Sequence, residues 1–175
     1  MSHIVTEELR RESMGKKVVV WGTGNVGRPA IRSVVANKDL DLAGVLVQNP
    51  DKVGKDAGDL AGIESTGIAA TDDISIALES DIDAVVYTVN ADFRPMESLD
   101  EAETLLRHGK NVVTASFYPL YHPPSMPEDL ADRFASACAE GNASIFASGI
   151  DPGWTCDILP LLLAGVSADI TEIRS

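Results

Sequence analysis

The most constraining feature of the sequence is a glycine-rich turn near its beginning. The segment Trp21-Gly-Thr-Gly-Asn-Val-Gly27 follows the β-branched run Val18–Trp21 and precedes apolar residues that recur at helical spacing. Those apolar positions are Val26, Ala30, Ile31, Val34 and Val35. A strand, a G-x-G-x-x-G turn and a helix, in this order, are the dinucleotide-binding fingerprint of a βαβ unit. The turn therefore predicts both a parallel α/β fold and a nucleotide site.

Each glycine of the turn has its own task in that motif. Gly22 permits the tight turn, Gly24 lets the backbone approach a pyrophosphate, and Gly27 lets the helix pack on the strand. Backbone amides near Asn25 and Val26 are expected to face the phosphates at a helix N-terminus. The cofactor-binding residues predicted here are Gly22, Thr23, Gly24, Asn25, Val26, Gly27 and Arg28. The alternatives are a glycine turn that serves packing alone and, for Arg28, a solvated helix residue.

Apolar runs alternate with helical patterns along the rest of the chain. The predicted strands are Val18–Trp21, Leu42–Val47, a weak one at Gly67–Ala70, Ala84–Val89, Asn111–Ala115 and Ser144–Ser148. The patterns Ser98-Leu-Asp-Glu101 and Ser125-Met-Pro-Glu128 are typical of capping boxes and predict helices that end near His108 and Glu140. This alternation predicts an α/β fold in one domain, a Rossmann-type doubly wound parallel sheet of six strands.

The two ends of the chain depart from this pattern. Residues 1–15 are polar and charged and predict a flexible lead-in, so the domain is expected over residues 16–175. Residues 157–166 predict a helix and residues 169–174 a further strand. No element follows to pair with or cover that strand, which predicts a natural polypeptide that is longer or that works beside another domain. A short closing strand is the alternative.

Composition excludes several classes of function. Acidic residues outnumber basic ones 27 to 14, for a net charge of −13, which does not suit a nucleic-acid or anionic-membrane binder. Cys138 and Cys156 are too few for a disulfide framework and lack metal-ligand spacing, so no metal site is predicted. Neither a signal peptide nor a membrane-spanning run is present, and a soluble, cytoplasmic protein is expected. The oligomeric state stays open, a homo-oligomer included.

The end of the second predicted strand bears on the choice of cofactor. In an NAD site, an acidic residue usually binds the ribose 2′-hydroxyl there. This chain has the neutral Gln48 and Asn49 instead, and the cations Lys52, Lys55 and Arg28 are close in sequence. Both neutral residues are predicted to contact the cofactor, and NADP(H) is favoured over NAD(H). Asp51 could still bind the ribose, which keeps NAD(H) open.

Five segments together resemble the N-terminal half of dihydrodipicolinate-reductase-like proteins, in particular the 2,4-diaminopentanoate dehydrogenase-like branch. They are Val18–Gly27, Asn49–Gly62, Arg107–Val113, Tyr118–Pro124 and Ser148–Gly153. Linked over most of the chain, these segments are far more specific than the glycine turn alone. The uncharged end of the second strand departs from the reductases, which often have an acid there.

The resemblance implies an NAD(P)-dependent oxidoreductase acting on a small amine, imine or carbonyl metabolite. It also implies a downstream substrate domain that is absent from this chain and that holds the reductases' His-His-x-x-x-Lys group. No catalytic residue is therefore assigned. Two other hypotheses remain, a non-catalytic NAD(P)-binding redox sensor or regulatory module and a methyltransferase. The methyltransferase is disfavoured, because its adenosyl cofactor also usually requires an acid after the second strand.

Ligands of open α/β sheets bind beyond the carboxyl ends of the strands, which singles out three further segments. Thr88 and Asn90 are predicted to contact ribose or carboxamide. Asp92 and Arg94 are substrate candidates, unless they simply pair with each other. Ser116 lies in the segment that the resemblance places beside the nicotinamide.

Three more residues are candidates near the same edge of the sheet. Asp151 is predicted to face the nicotinamide or a substrate amine, with Trp154 as a wall, and a structural turn is the alternative. His122 is a candidate acid or base because histidine commonly transfers protons in enzymes, although the prolines beside it favour a rigid, packed loop.

Overall fold

The computed structural model of the protein describes residues 15–174 and shows an all-parallel sheet. Its strands are β1 (Lys16–Trp21), β2 (Leu40–Leu46), β3 (Ala84–Tyr87), β4 (Asn111–Thr114) and β5 (Ile145–Ala147). They are ordered β2-β1-β3-β4-β5, and every neighbouring pair is parallel. The predicted flexible lead-in lies outside the described residues, apart from Gly15.

Helices cover both faces of this sheet. They are α1 (Gly27–Ala36), α2 (Ala57–Ala61), α3 (Ser75–Leu78), α4 (Pro95–Arg107), α5 (Glu128–Gly141) and α6 (Leu159–Ala164), and a π-helical turn, Trp154–Ile158, precedes α6. One apolar cluster joins α1 and α2 to β1 and β2. A second joins α3, α4 and α5 to the opposite face. The predicted Rossmann-type doubly wound sheet is thereby confirmed.

The weak strand predicted at Gly67–Ala70 is wrong. A single parallel bridge pairs Thr71 with Leu46, next to the predicted position. Residues 68–70 instead bond to the preceding loop, since the Ala70 amide donates to the Lys55 carbonyl at 2.8 Å and the Ala57 amide donates to the Ile68 carbonyl at 2.8 Å. These bonds take the backbone groups that a ladder would need, so the sheet has five full strands in the described range rather than six.

Both predicted capping boxes are wrong, although both helices exist. Ser98 is fully buried inside α4, which begins at Pro95 after Arg94 as its N-cap. Ser125 lies in a separate 3₁₀ turn, and α5 follows Pro127. Proline fixes φ near its helical value and lacks an amide hydrogen, so it starts a helix without a side-chain cap.

The end of the chain also differs from prediction. The helix expected over residues 157–166 begins earlier, as the π-helical turn, and α6 ends at Ala164. The strand expected over residues 169–174 is wrong, because Asp169 has a left-handed backbone with φ of 55° and the residues after it have no regular secondary structure. None of the helices in residues 15–174 combines the length and apolarity needed to span a membrane.

Candidate functional site

The glycine turn connects β1 to α1, and two of its glycines are required by the fold itself. Gly22 has φ of +113°, a conformation that residues with a Cβ rarely adopt, and its amide donates to the Leu46 carbonyl at 2.9 Å. Gly27 is buried, and a Cβ there would overlap the Gly22 carbonyl. Both glycines let α1 pack closely on β1.

Gly24 differs from its two neighbours in the motif. A Cβ at this position would have no atom within 4 Å, so packing does not require a glycine. The φ of Gly24 is not positive, so its backbone conformation does not require a glycine either. The residue is exposed at the tip of the turn, facing open space.

A crevice of about 170 Å³ lies beside this turn at the carboxyl ends of the strands. Its lining comes from the glycine turn, from the segment after β3 and from the segment after β4: Val26, Thr88, Val89, Asn90, Ala91, Asp92, Ala115, Ser116 and Tyr118. The structure therefore brings together five residues predicted from separate segments of the sequence, namely Val26, Thr88, Asn90, Asp92 and Ser116.

The polar groups of this crevice are already oriented by the backbone. The Thr88 hydroxyl donates to the Trp21 carbonyl at 2.9 Å, and the Ser116 hydroxyl donates to the Val89 carbonyl at 2.5 Å. The Asn90 side-chain oxygen accepts from the Asp92 amide at 3.0 Å. Since both hydroxyl protons are engaged, the two hydroxyl oxygens are left with acceptor capacity only.

The end of β2 places a cation on the glycine turn. The Lys52 ammonium donates to the Thr23 carbonyl oxygen at 3.2 Å and to the Thr23 hydroxyl at 3.0 Å. Gln48 and Asn49 are exposed, and the Asn49 side chain accepts from the Asp51 amide at 2.9 Å. Arg28 is exposed on α1. Neutral amides thus follow β2 where many such sites have a carboxylate, and the nearby Lys52 ammonium is bound to Thr23.

Arg94 does not pair with Asp92, contrary to one of the sequence-based alternatives. Its guanidinium forms a two-pronged ion pair with Glu101 on α4, at 2.9 and 3.3 Å. The Tyr87 hydroxyl also donates to Glu101, at 2.5 Å, and burial together with this carboxylate raises the pKa of Tyr87. Arg94 is therefore fixed against β3 and α4, and Asp92 forms no ion pair within residues 15–174.

Two other predicted candidates lie away from the crevice. Asp151 accepts a hydrogen bond from the Cys156 thiol at 2.9 Å and lines a separate cavity of about 550 Å³ beside α6. His122 is exposed, with its Nδ1 at 2.6 Å from the Ser125 hydroxyl. Neither residue lines the crevice.

An adjoining pocket of about 380 Å³ was not predicted from the sequence. Its walls come from the segment after β3, from α4, from the loop after β4 and from α5. The apolar residues involved are scattered along the chain and have the periodicity of ordinary core positions. Only the tertiary fold places them around one space, so no local pattern could have identified the pocket.

Residues 16–116, more than half of the chain, match the protein family described as dihydrodipicolinate reductase, N-terminus. The chain belongs to this family. This match confirms the resemblance inferred from the sequence motifs. Relatives of the chain are named as dehydrogenases and reductases.

Three comparisons describe its relatives in more detail. An amine dehydrogenase of Streptomyces virginiae is 48% identical over 157 residues, which are 89% of this chain and 44% of that protein. A 2,4-diaminopentanoate dehydrogenase of Acetoanaerobium sticklandii is 22% identical over 91% of this chain and 45% of its own length. The solved amine dehydrogenase of Mycobacterium smegmatis matches with a TM-score of 0.66 and 28% identity, over 85% of this chain and 44% of that one. This family member therefore spans less than half the length of these relatives.

Proposed function

We propose that this chain is the NAD(P)-binding domain of an oxidoreductase that acts on a small amine, imine or carbonyl metabolite. A nicotinamide held by the glycine turn and the crevice would supply hydride transfer to or from the reacting carbon of the substrate. The parallel sheet, the family and the amine dehydrogenase at 48% identity support this proposal. The chain's own task is to bind and orient the cofactor.

The observation that carries the proposal is the open surface at Gly24. If the glycine turn served packing alone, each of its glycines would meet a neighbouring atom or have a left-handed backbone. Gly22 and Gly27 meet these criteria and Gly24 meets neither. A glycine with free space above it suits a ligand that must approach the backbone, as a pyrophosphate does in this motif. The packing-only alternative therefore does not explain Gly24.

The proposed contacts follow the crevice outward from this turn. Amides of Thr23, Asn25 and Val26 are available to the pyrophosphate at the start of α1. Thr88, Asn90 and Ser116 supply acceptors and an amide for the nicotinamide ribose and carboxamide. Asp151 lies outside this crevice, and we give it no part in cofactor binding.

Substitution of Gly24 tests the proposal. Gly24→Val places a branched side chain in the space required by the pyrophosphate, so NADPH binding should fall below detection. Because a Cβ meets no neighbour there, the free energy of unfolding should change by no more than about 0.5 kcal/mol. Isothermal titration with NADPH, NADH and S-adenosylmethionine, beside urea unfolding, measures both quantities. Gly24→Ala is the matched control and should weaken binding less. Unchanged NADPH affinity in folded Gly24→Val would contradict the proposal.

We further propose that the site prefers NADP(H). Lys52 supports this, because it follows β2, whose end faces the ribose 2′-position in this motif, and its ammonium is held at Thr23. Gln48 and Asn49 offer no charge that would repel a 2′-phosphate. A hydrogen bond between charged groups contributes about 1.5 to 3 kcal/mol, so a single contact would favour NADPH by about tenfold or more.

Two substitutions test this preference separately. Gln48→Asp adds a carboxylate that accepts from the ribose hydroxyls and repels a 2′-phosphate, so it should reverse the preference toward NADH. Lys52→Gln should reduce the preference for NADPH by about tenfold, and Lys55→Gln is the matched control. Dissociation constants for both cofactors are compared at one ionic strength. A parent protein that binds NADH more tightly would overturn the proposal and make Asp51 the ribose ligand to test next.

A further inference from the structure

The apolar pocket next to the crevice shares part of its wall with it. Four residues line both spaces: Ala91, Asp92, Ser116 and Tyr118. The pocket is the larger of the two, at about 380 Å³ against about 170 Å³. A molecule in the pocket would therefore have one end beside the space in which the nicotinamide is proposed to lie.

The chemistry of the pocket changes from its interior to its mouth. The interior is formed mainly by Leu99, Phe117, Leu120, Leu130 and Phe134, and Phe117 and Phe134 are almost fully buried. A surface of this kind binds hydrocarbon and offers little to a carboxylate or hydroxyl.

Asp92 gives the mouth of the pocket a negative charge. Its carboxylate is exposed, and the neighbouring Arg94 is held by Glu101, so Arg94 does not neutralise it. Asp92 forms no ion pair with any residue that the structure describes. A carboxylate in this setting complements a cation that enters the mouth.

We propose that this pocket, which we call the Asp92 pocket, binds the apolar group of a primary amine whose ammonium lies at Asp92. The inference rests on the proposed function and specifies its substrate class. An amine with a hydrocarbon group of several carbons fits both parts of the pocket. A compound with charges at both ends does not, because its second charge would be buried among Leu and Phe side chains. The shared wall then places the amine-bearing carbon next to the crevice.

Titration with a homologous amine series tests the inference. Ethylamine, butylamine and hexylamine are titrated into the full chain, with and without saturating NADP⁺, by isothermal titration or ligand-observed NMR. Each buried methylene should raise affinity about fourfold. Hexanol and 1,6-diaminohexane should bind more weakly than hexylamine. Affinity that does not change with chain length would overturn the inference. If NADP⁺ still binds in that case, the proposed function stands, whereas absence of NADP⁺ binding contradicts the proposed function instead.

Variants distinguish the pocket from non-specific binding to the apolar surface. Leu130→Phe fills the pocket from α5 and should flatten the dependence on chain length. Leu99→Phe fills it from α4 and replaces Leu130→Phe if the first variant fails to fold. Leu162→Phe, at an exposed position on α6 outside the pocket, is the matched control and should bind like the parent. Asp92→Asn should remove the preference for hexylamine over hexanol. Equal loss of binding in Leu130→Phe and Leu162→Phe would show non-specific binding and overturn the inference.

Discussion

The Asp56 carboxylate organises the loop between α2 and the Thr71 bridge. It accepts hydrogen bonds from the amides of Gly58 at 2.7 Å and Thr66 at 3.0 Å, and its other oxygen accepts from the Gly67 amide at 2.8 Å and the Ser65 hydroxyl at 3.0 Å. The Thr66 amide, followed by the Ser65 hydroxyl and the other amides, lowers the pKa of Asp56 to about 2. The ionised form is thus preferred more strongly in the folded chain than in the unfolded one.

This lowered pKa predicts how the stability of the protein depends on pH. The contribution of Asp56 to the free energy of unfolding is fully present above its unfolded pKa of 3.8. It is lost as pH falls toward about 2, because the unfolded state then binds the proton more readily than the folded state. Asp56→Asn should therefore be less stable than the parent at pH 6, and the difference should shrink toward pH 2. Urea unfolding across this range measures it. Asp59→Asn, on the same helix, is the matched control, and a pH-independent gap for Asp56→Asn would contradict the assignment.

Single residues could be predicted from the sequence where a motif fixes their spacing. The roles of Gly22 and Gly27 in packing followed from the G-x-G-x-x-G pattern, and the structure shows both close contacts. Contacts between distant segments could not be predicted in this way. Lys52 was one of three candidate cations, and only the fold places its ammonium on Thr23. Arg94 pairs with Glu101 and not with Asp92, which was one of the two alternatives from the sequence, because α4 brings Glu101 within reach.

At the scale of elements, strands with long apolar runs were predicted well and helix starts were predicted poorly. All five strands lie within two residues of a predicted run at each end. Their signal is strong because strands buried on two faces are continuously apolar. Neither helix with a supposed capping box begins at its serine, because α4 begins at Pro95 and α5 begins at Glu128 after Pro127. A Ser-x-x-Glu pattern within an amphipathic helix is common, so it marks a helix start only where no better start signal precedes it.

The Gly67–Ala70 segment shows why a short edge strand is hard to predict. Only Ile68 in this segment has high strand propensity, and the loop that Asp56 organises offers backbone partners closer in sequence than the edge of β2. Local partners are reached at a smaller entropic cost, so the segment pairs with the loop and leaves one bridge to the sheet.

Over the whole molecule, burial of the sheet is uneven. The apolar strands predicted burial on both faces, but Val113 of β4 and its partner Phe146 of β5 are 45% and 63% exposed. The leucines of α6 are exposed as well. The pattern of apolar residues predicts which face of an element should be buried, but it does not show whether another element covers that face. The extent of this open surface therefore became visible only in the fold, whereas the crevice followed from the rule that ligands bind at the carboxyl ends of parallel strands.

The 175-residue chain is expected to bind both ligands of the reaction without turning them over. The amine dehydrogenase at 48% identity is more than twice as long, and the crevice of this chain supplies orientation without an assigned acid or base. We therefore expect the chain to bind NADPH and hexylamine but to show no turnover when NADP⁺ and the alkylamines are followed by the absorbance of reduced nicotinamide. The Streptomyces virginiae relative, assayed under the same conditions, is the positive control. Robust turnover would contradict the expectation that this chain binds and orients its ligands but does not catalyse the reaction alone. Residues 117–122, which include Tyr118 and His122, and residues 151–154 would then be the first segments to substitute, because they belong to the connections that follow β4 and β5.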